Sequence, residues 1–207
     1  MPLQNRVSPT GDIVVSDSRG ALMGNRGGRL HDDAKHLADR RWVTKSWITC
    51  KLHFKNRHRD VMSEGYTELF FLDEVTALAA GHRPCAECRR EDWLRFKEAW
   101  CRGVGADPQT TLVRHVDQRL HAERVRRDRS KVTYRSRLEE LPGGVFVAVG
   151  KSRNPWLLRE GRLVRWSPGG YVQTADCVAP DVTVLTPPSI VAVLRAGYPA
   201  NVDPSAA

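Results

Sequence analysis

The chain has 207 residues, 41% hydrophobic and 28% charged, with a formal net charge of +9. That composition supports a globular core, argues against a membrane-spanning apolar segment, and directs attention to a polyanionic partner or a heavily solvated surface. Five cysteines, Cys50, Cys85, Cys88, Cys101 and Cys177, form an odd and scattered set, which argues against a disulfide framework and leaves reduced thiols for a metal.

The first residues, MPLQNRVSPTGDIVV, lack the charged start, apolar middle and small-residue cleavage site of a secretory signal, so a cytoplasmic protein is expected. After a turn at Pro9, Thr10 and Gly11, residues 13–15 read as a strand. Residues 19–33, RGALMGNRGGRLHDD, read as a loop whose glycines Gly20, Gly24, Gly27 and Gly28 permit sharp turns or close approach to a ligand. No Gly-Lys-Ser/Thr ending follows, so this is not a phosphate-binding P-loop. Arg26 and Arg29 are its candidate phosphate contacts, against the plainer reading of a surface loop. Residues 42–54 read as a strand in which Ile48, Cys50, Leu52 and Phe54 alternate with Trp47, Thr49, Lys51 and His53. This alternation places Cys50 on an apolar face and His53 on the opposite one.

Residues 66–71, YTELFF, read as the next strand, with Asp73 capping a short helix through Val75, Leu78 and Ala79, and Gly81 as its left-handed stop. Cys85 and Cys88 follow at once. Two thiolates three apart on a tight turn can share one tetrahedral zinc ion, whereas a redox pair of the same spacing opens a helix directly after a strand. A second helix is expected over residues 89–100, with Trp93, Leu94, Phe96, Lys97 and Trp100 forming its core-facing stripe. Residues 102–111 read as a connector, and residues 114–137 as a basic helix sparse in hydrophobic positions. A β-rich tail begins near Pro142, and residues 189–195 read as a last short helix. Cys101 and Cys177 read as core thiols. In the tail Trp156, Trp166 and Tyr171 are interleaved with Arg153, Arg159, Arg162 and Arg165, a pattern that suits base stacking beside phosphates or a β-meander with buried tryptophans.

The positive charge arrives in two blocks: ten Lys or Arg against three Asp over residues 26–59, and nine against two Asp and one Glu over residues 114–137. Two basic blocks flanking a candidate metal site point to nucleic acid, with Arg26, Arg29, Arg124, Arg126 and Arg127 as candidate contacts. Acid–base signals are weaker. His121 and Glu123, two apart on a helix, face different directions, and His31 with Asp32 and Asp33 is a nuclease-like grouping of low specificity.

Phe70, Phe71, Glu74, Ala77, Ala79, Ala80, Gly81, Arg83, Pro84, Cys85 and Cys88 resemble the second half of the metal-binding domain of the Ada family of DNA alkylation-repair proteins. That pattern runs as two aromatics, an Ala-rich helix, then Gly-aromatic-Arg-Pro-Cys-x-x-Cys. The resemblance spans residues 70–88 and implies a four-ligand zinc site in a DNA-binding module, with Cys85 and Cys88 as the second ligand pair. The family's first pair, Cys-x-x-x-Cys some thirty residues upstream, includes the thiolate that accepts a methyl group from a phosphotriester. This chain has Phe54 and His58 at the corresponding positions, so no methyl acceptor is carried over to it and Cys50 is not expected to accept methyl groups.

Cys50, the one cysteine near that position, is the expected third ligand. A histidine is expected as the fourth, with His31 ranked before His58, and with His36 and His82 also considered. The sequence thus predicts an α+β protein: an Ada-like, zinc-organised lobe over residues 1–101, then a basic helix and a small β-rich lobe over residues 112–207, separate from the first or continuous with it. The expected function is zinc-dependent binding of nucleic acid, DNA first, in repair or processing. A DNA-modifying enzyme of nuclease, glycosylase or alkyl-transfer type, and a structural or protein-interaction module, are the alternatives.

Overall fold

A computed structural model describes residues 1–56, 60–150, 152, 154–176 and 180–207. His58, Arg153 and Cys177, named above, lie outside the described residues. The fold is α+β, with two sheets joined by a buried helix. No helix among the described residues is long and apolar enough to cross a membrane.

The first sheet comprises β1 (Gln4–Val7), β2 (Ile13–Val15), β3 (Leu22–Asn25), β4 (Ile48–Cys50), β5 (Leu69–Phe71) and β6 (Arg83–Pro84), in the order β2-β1-β5-β3-β4-β6. The second is antiparallel throughout. It comprises β7 (Tyr134–Arg137), β8 (Phe146–Ala148), β9 (Trp156–Arg159), β10 (Arg162–Ser167), β11 (Gly170–Asp176) and β12 (Asp181–Val184), in the order β11-β10-β9-β8-β12-β7. The helices are α1 (Glu74–Ala79), α2 (Arg90–Val104), α3 (Val113–Arg124) and α4 (Pro188–Arg195).

Helix α1 lies between the sheets, and all six of its residues are buried. A short helix can be covered on every side only if each face is apolar or its polar groups are matched. Ala77 and the following Ala80 pack with Val7, Ile13, Leu69 and Phe71 of the first sheet. Val75 and Ala79 pack with Phe146, Leu157 and Val164 of the second, while Leu78 joins the α2, α3 and α4 core around Phe96, Leu120 and Ile190. That last core draws its residues from both sides of position 101.

Two acidic side chains at the start of α1 connect it to the rest of the chain. Asp73 caps the helix by accepting from the Thr76 amide at 2.9 Å, and its other oxygen accepts from the Tyr171 hydroxyl at 2.8 Å and the Asp203 amide at 3.0 Å. Glu74 accepts from Arg89 and the Tyr198 hydroxyl, each at 2.7 Å, and from the Asn201 amide at 3.1 Å. Gly81 ends the helix at φ +87, and a Cβ there would lie 2.5 Å from Arg124 Cδ. Glycine is required there both by the turn and by the packing of α3.

Three sequence expectations are corrected. Residues 19–33 are not all loop, because Leu22–Asn25 forms β3 between β4 and β5. The approach of its neighbours needs Gly24, whose Cβ would stand 2.2 Å from the Ile48 carbonyl oxygen. Of residues 42–54 only Ile48–Cys50 is strand. Thr49 is 2% exposed beneath Arg89 and Leu52 is 43% exposed, the reverse of what alternation predicts, since the chain turns away after Cys50. The basic helix stops at Arg124, and Arg126–Arg129 is a turn closed by the Val125–Lys131 bridge and leading to β7.

Glu74 and Arg89 are 2% and 4% exposed, so removing either partner leaves a buried charge uncompensated. Glu74→Ala is expected to lower stability by about 3–5 kcal/mol. Equilibrium denaturation measures it, and a loss below about 1 kcal/mol would mean that the network does not hold α1 in place.

Candidate metal centre

The site begins with a two-residue parallel pairing. β4 and β6 align Ile48 with Arg83 and Thr49 with Pro84, so the next residue of each strand is a cysteine, Cys50 beside Cys85. The Cys85 amide donates to the Thr49 carbonyl at 2.9 Å and fixes that alignment. A tight turn then brings Cys88 back, with the Arg89 amide donating to the Cys85 carbonyl at 3.1 Å. The sulfurs of Cys50, Cys85 and Cys88 lie within 4.8 Å of one another. Among the described residues no fourth His, Cys, Asp or Glu joins them.

Arg89 locks this turn from behind. It donates to Glu74 at 2.7 Å, to Asp92 at 2.8 Å and to the Thr49 hydroxyl at 2.9 Å, tying α1, α2 and β4 to the residue after Cys88. Arg83 does the same from β6. Its guanidinium binds the Asp117 carboxylate of α3 at 2.8 and 2.9 Å, touches Ser46 at 3.0 Å and lies over the Trp93 ring.

Without a metal the three sulfurs are in electrostatic conflict. Hydrogen bonds from Cys50 and then Cys88 push the Cys85 thiol far below its usual range. Contacts with Cys85 and Cys88, then burial, push Cys50 far above it. Cys88 is pulled down by Cys50 but raised more by Cys85 and by burial. The thiolate is thus favoured at Cys85 and disfavoured at Cys50 and Cys88, and a bound divalent cation would favour it at all three. The Glu87 amide points at Cys85 Sγ at 3.4 Å, the kind of outer contact that orients a metal-bound thiolate. The cluster can hold a metal ion.

One side of the cluster opens into a cavity of about 470 Å³. Phe54, Tyr66 and Phe70 give it aromatic walls, and Glu68, Glu87 and His53 supply polar groups. This volume lies within the range of small-molecule sites.

Of the histidines considered as fourth ligand, the three among the described residues, His31, His36 and His82, are placed elsewhere. His31 is 5% exposed, and its ring nitrogens are engaged by the Thr67 hydroxyl at 2.6 Å and the Ser63 carbonyl at 3.0 Å. Threonine and backbone satisfy it, so it has no nitrogen left for the cluster. His82 lies between Phe71 and Trp47, where burial, followed by Arg26 and Arg124, keeps it neutral, and His36 is at the surface beside Asp32. Asp33 pairs with Arg29, so the nuclease-like grouping around His31 is a set of loop contacts.

The nucleic-acid candidates divide as well. Arg126 and Arg127 are exposed on the turn after α3, and Arg29 is part-exposed beside Asp33. Arg26 and Arg124 are each 2% exposed and lie against the Trp47 ring, both at 3.9 Å, so Arg124 is not the solvent-facing residue its helix position implies. In the tail Tyr171 is buried against Asp73, and Trp156 and Trp166 pack on the hydrophobic clusters rather than standing free as stacking platforms. Sequence reading missed Glu74 and Arg89 as supports of the site and missed the cavity walls. These residues meet only through tertiary contacts, and no local spacing marks them.

Comparison with family models, curated proteins and solved structures finds no match to this chain.

Purified without chelator, the chain is expected to carry one metal ion, measured by plasma mass spectrometry. Cys50→Ser, Cys85→Ser and Cys88→Ser are each expected to weaken retention against a competing chelator by about tenfold or more. His31→Gln is expected to keep the metal while losing about 1–2 kcal/mol of stability. Full retention in any one Cys variant removes that residue from the ligand set.

Proposed function

We propose that this chain is a zinc-binding protein that binds nucleic acid, DNA in the first instance. The observation that carries the reading is the convergence of Cys50, Cys85 and Cys88 to within 4.8 Å. An all-thiol set is soft and suits zinc over hard cations such as magnesium or calcium, and zinc accepts four ligands in tetrahedral array. The resemblance of residues 70–88 to the Ada-family metal-binding domain supports the same ion and the same class of partner. The net charge of +9 and the exposed Arg126 and Arg127 supply the electrostatic side.

A second reading, a DNA-modifying or lesion-repair enzyme, is favoured by the cavity. Structural zinc sites are closed by four protein ligands, while catalytic sites keep a position for water or substrate. Three thiols beside a cavity of about 470 Å³ fit the open type. Zinc bound there would supply Lewis acidity to a group held in the cavity. Phe54, Tyr66 and Phe70 would flank a flat apolar group, and Glu68 is fixed at the wall by accepting from the Met62 amide at 2.8 Å. Methyl transfer to Cys50 is not proposed.

The binding claim is tested by fluorescence anisotropy with duplex DNA at several salt concentrations. Affinity is expected to fall with salt, with a log–log slope of about −0.9 for each phosphate neutralised. Arg126→Glu with Arg127→Glu is expected to weaken binding by about tenfold or more without lowering the melting temperature. No salt-dependent binding, with zinc present, would leave the charge as a solubility feature and favour the interaction-module alternative.

A further inference from the structure

A second cavity, of about 290 Å³, shares no lining residue with the one at the thiols. Its wall carries five cations, Arg26, Arg41, Arg124, Arg129 and Lys131, against two carboxylates, Asp12 and Asp39. Such a surplus on a surface is ordinary, but here Arg26 and Arg124 are each 2% exposed. Both clasp the ring of Trp47, one guanidinium carbon 3.9 Å from the ring centroid in each case.

These cations are held by neutral acceptors. Arg26 donates to the Gly11 carbonyl at 2.8 Å and to His82 at 3.3 Å. Arg124 donates to the Gly81 carbonyl at 2.7 Å and the Lys45 carbonyl at 2.6 Å, and its Nε is buried with no partner. Lys131 donates to the Ala79 carbonyl at 2.8 Å, one bond from a group with three donors. Among the described residues no carboxylate is ion-paired with any of the three. Asp117 is bound by Arg83, and on the cavity wall Asp12, which partly offsets Arg26 and Lys131, and Asp39 leave the five cations in surplus. The carbonyl end of α1 is too short a dipole to balance three charges, since a whole helix presents only about half a charge at its end.

The energetic sign of this arrangement is unfavourable without a counter-ion. Burial, with Asp12 offsetting and Arg41 adding, lowers Arg26 to about 9. Burial and then the neighbouring Arg26 lower Lys131 to about 7, and Arg124 is lowered by burial and by Arg26. Buried like charges repel unless an anion sits among them.

We propose that this cavity is a binding site for a phosphate group, with Lys131 as a donor to its oxygens and Arg26, Arg41, Arg124 and Arg129 as its positive surround. The cavity stands at the small end of ligand-site volumes, which admits a phosphoryl group with part of its substituent and excludes a duplex. A terminal phosphate of a nucleic-acid strand and a free phosphate compound share this chemistry. The inference does not depend on zinc or on DNA binding through Arg126 and Arg127.

The test titrates the full chain with inorganic phosphate, by calorimetry and by thermal shift, against sodium chloride of matched ionic strength. Saturable binding of one phosphate and a rise in melting temperature above the chloride control are expected. Lys131→Gln is expected to weaken phosphate by about tenfold while leaving the ligand-free melting temperature unchanged or higher, because it removes a repelled cation; Lys131→Arg retains binding. A purely structural lysine would show the opposite, a lower melting temperature and no change in phosphate affinity. No phosphate binding beyond the chloride control, or unchanged affinity in Lys131→Gln, overturns the proposal. Parallel titrations with a single-stranded oligonucleotide, with and without a 5′ phosphate, identify the source. A Lys131-dependent gain from the 5′ phosphate assigns the site to strand ends, and no gain with free phosphate still bound assigns it to small phosphate compounds.

Discussion

The buried ion pair between Glu74 and Arg89 is the contact on which the rest of this structure depends. It joins the first residue of a wholly buried helix to the residue that follows Cys88, across 2.7 Å. The same glutamate accepts from Tyr198 and Asn201 near the C-terminus, and the same arginine reaches Thr49 on β4. Pairing two charges in an apolar interior costs desolvation, and it is sustained here because the lone pairs and donors around it are matched. The consequence is geometric: the second half of the cysteine turn cannot move without disturbing α1, α2 and β4 together.

That rigidity is what allows a two-residue pairing to bring together three cysteines that could hold a metal ion. β6 is too short to hold its own register, yet Arg83 clamps it to Asp117 and the Cys85 amide ties it to Thr49. Cys50 and Cys85 then face each other by register, and Cys88 returns by the turn. Cys50 and Cys88 favour the thiolate of Cys85, which in turn disfavours theirs, an arrangement that a bound cation would relieve. The cationic cavity repeats this logic with the opposite sign: Arg26, Arg124 and Lys131 are held close by carbonyls, and an anion relieves them. Both sites lie beside the segment that contains β4, the first at Cys50 and the second at Trp47.

Much of the local structure was legible in the sequence. Asp73 as a cap, Gly81 as a stop, the Trp93 and Phe96 stripe and the strand-rich tail all rest on rules that act over a few residues. Cys85 and Cys88 were legible for the same reason, and Cys50 joined them because a thiol on a neighbouring strand was the nearest available. The failures share one cause. β3 was hidden because Gly24 looks like a loop residue until the approach of Ile48 is known. Arg124 read as a surface charge because helix periodicity does not reveal that Trp47, from a distant segment, lies over that face. His31 read as a free ligand because nothing local announces that Thr67, thirty-six residues away, occupies its ring. In each case a tertiary partner overrode the local signal.

The central claim is that Cys50, Cys85 and Cys88 together form one metal centre. X-ray absorption at the zinc edge on the zinc-loaded chain tests it most directly, because it counts the sulfur atoms bound to the ion. Three sulfurs at about 2.3 Å with one lighter nitrogen or oxygen neighbour is the expected result. A shell with two sulfurs or fewer, or zinc bound only by nitrogen and oxygen, would contradict it.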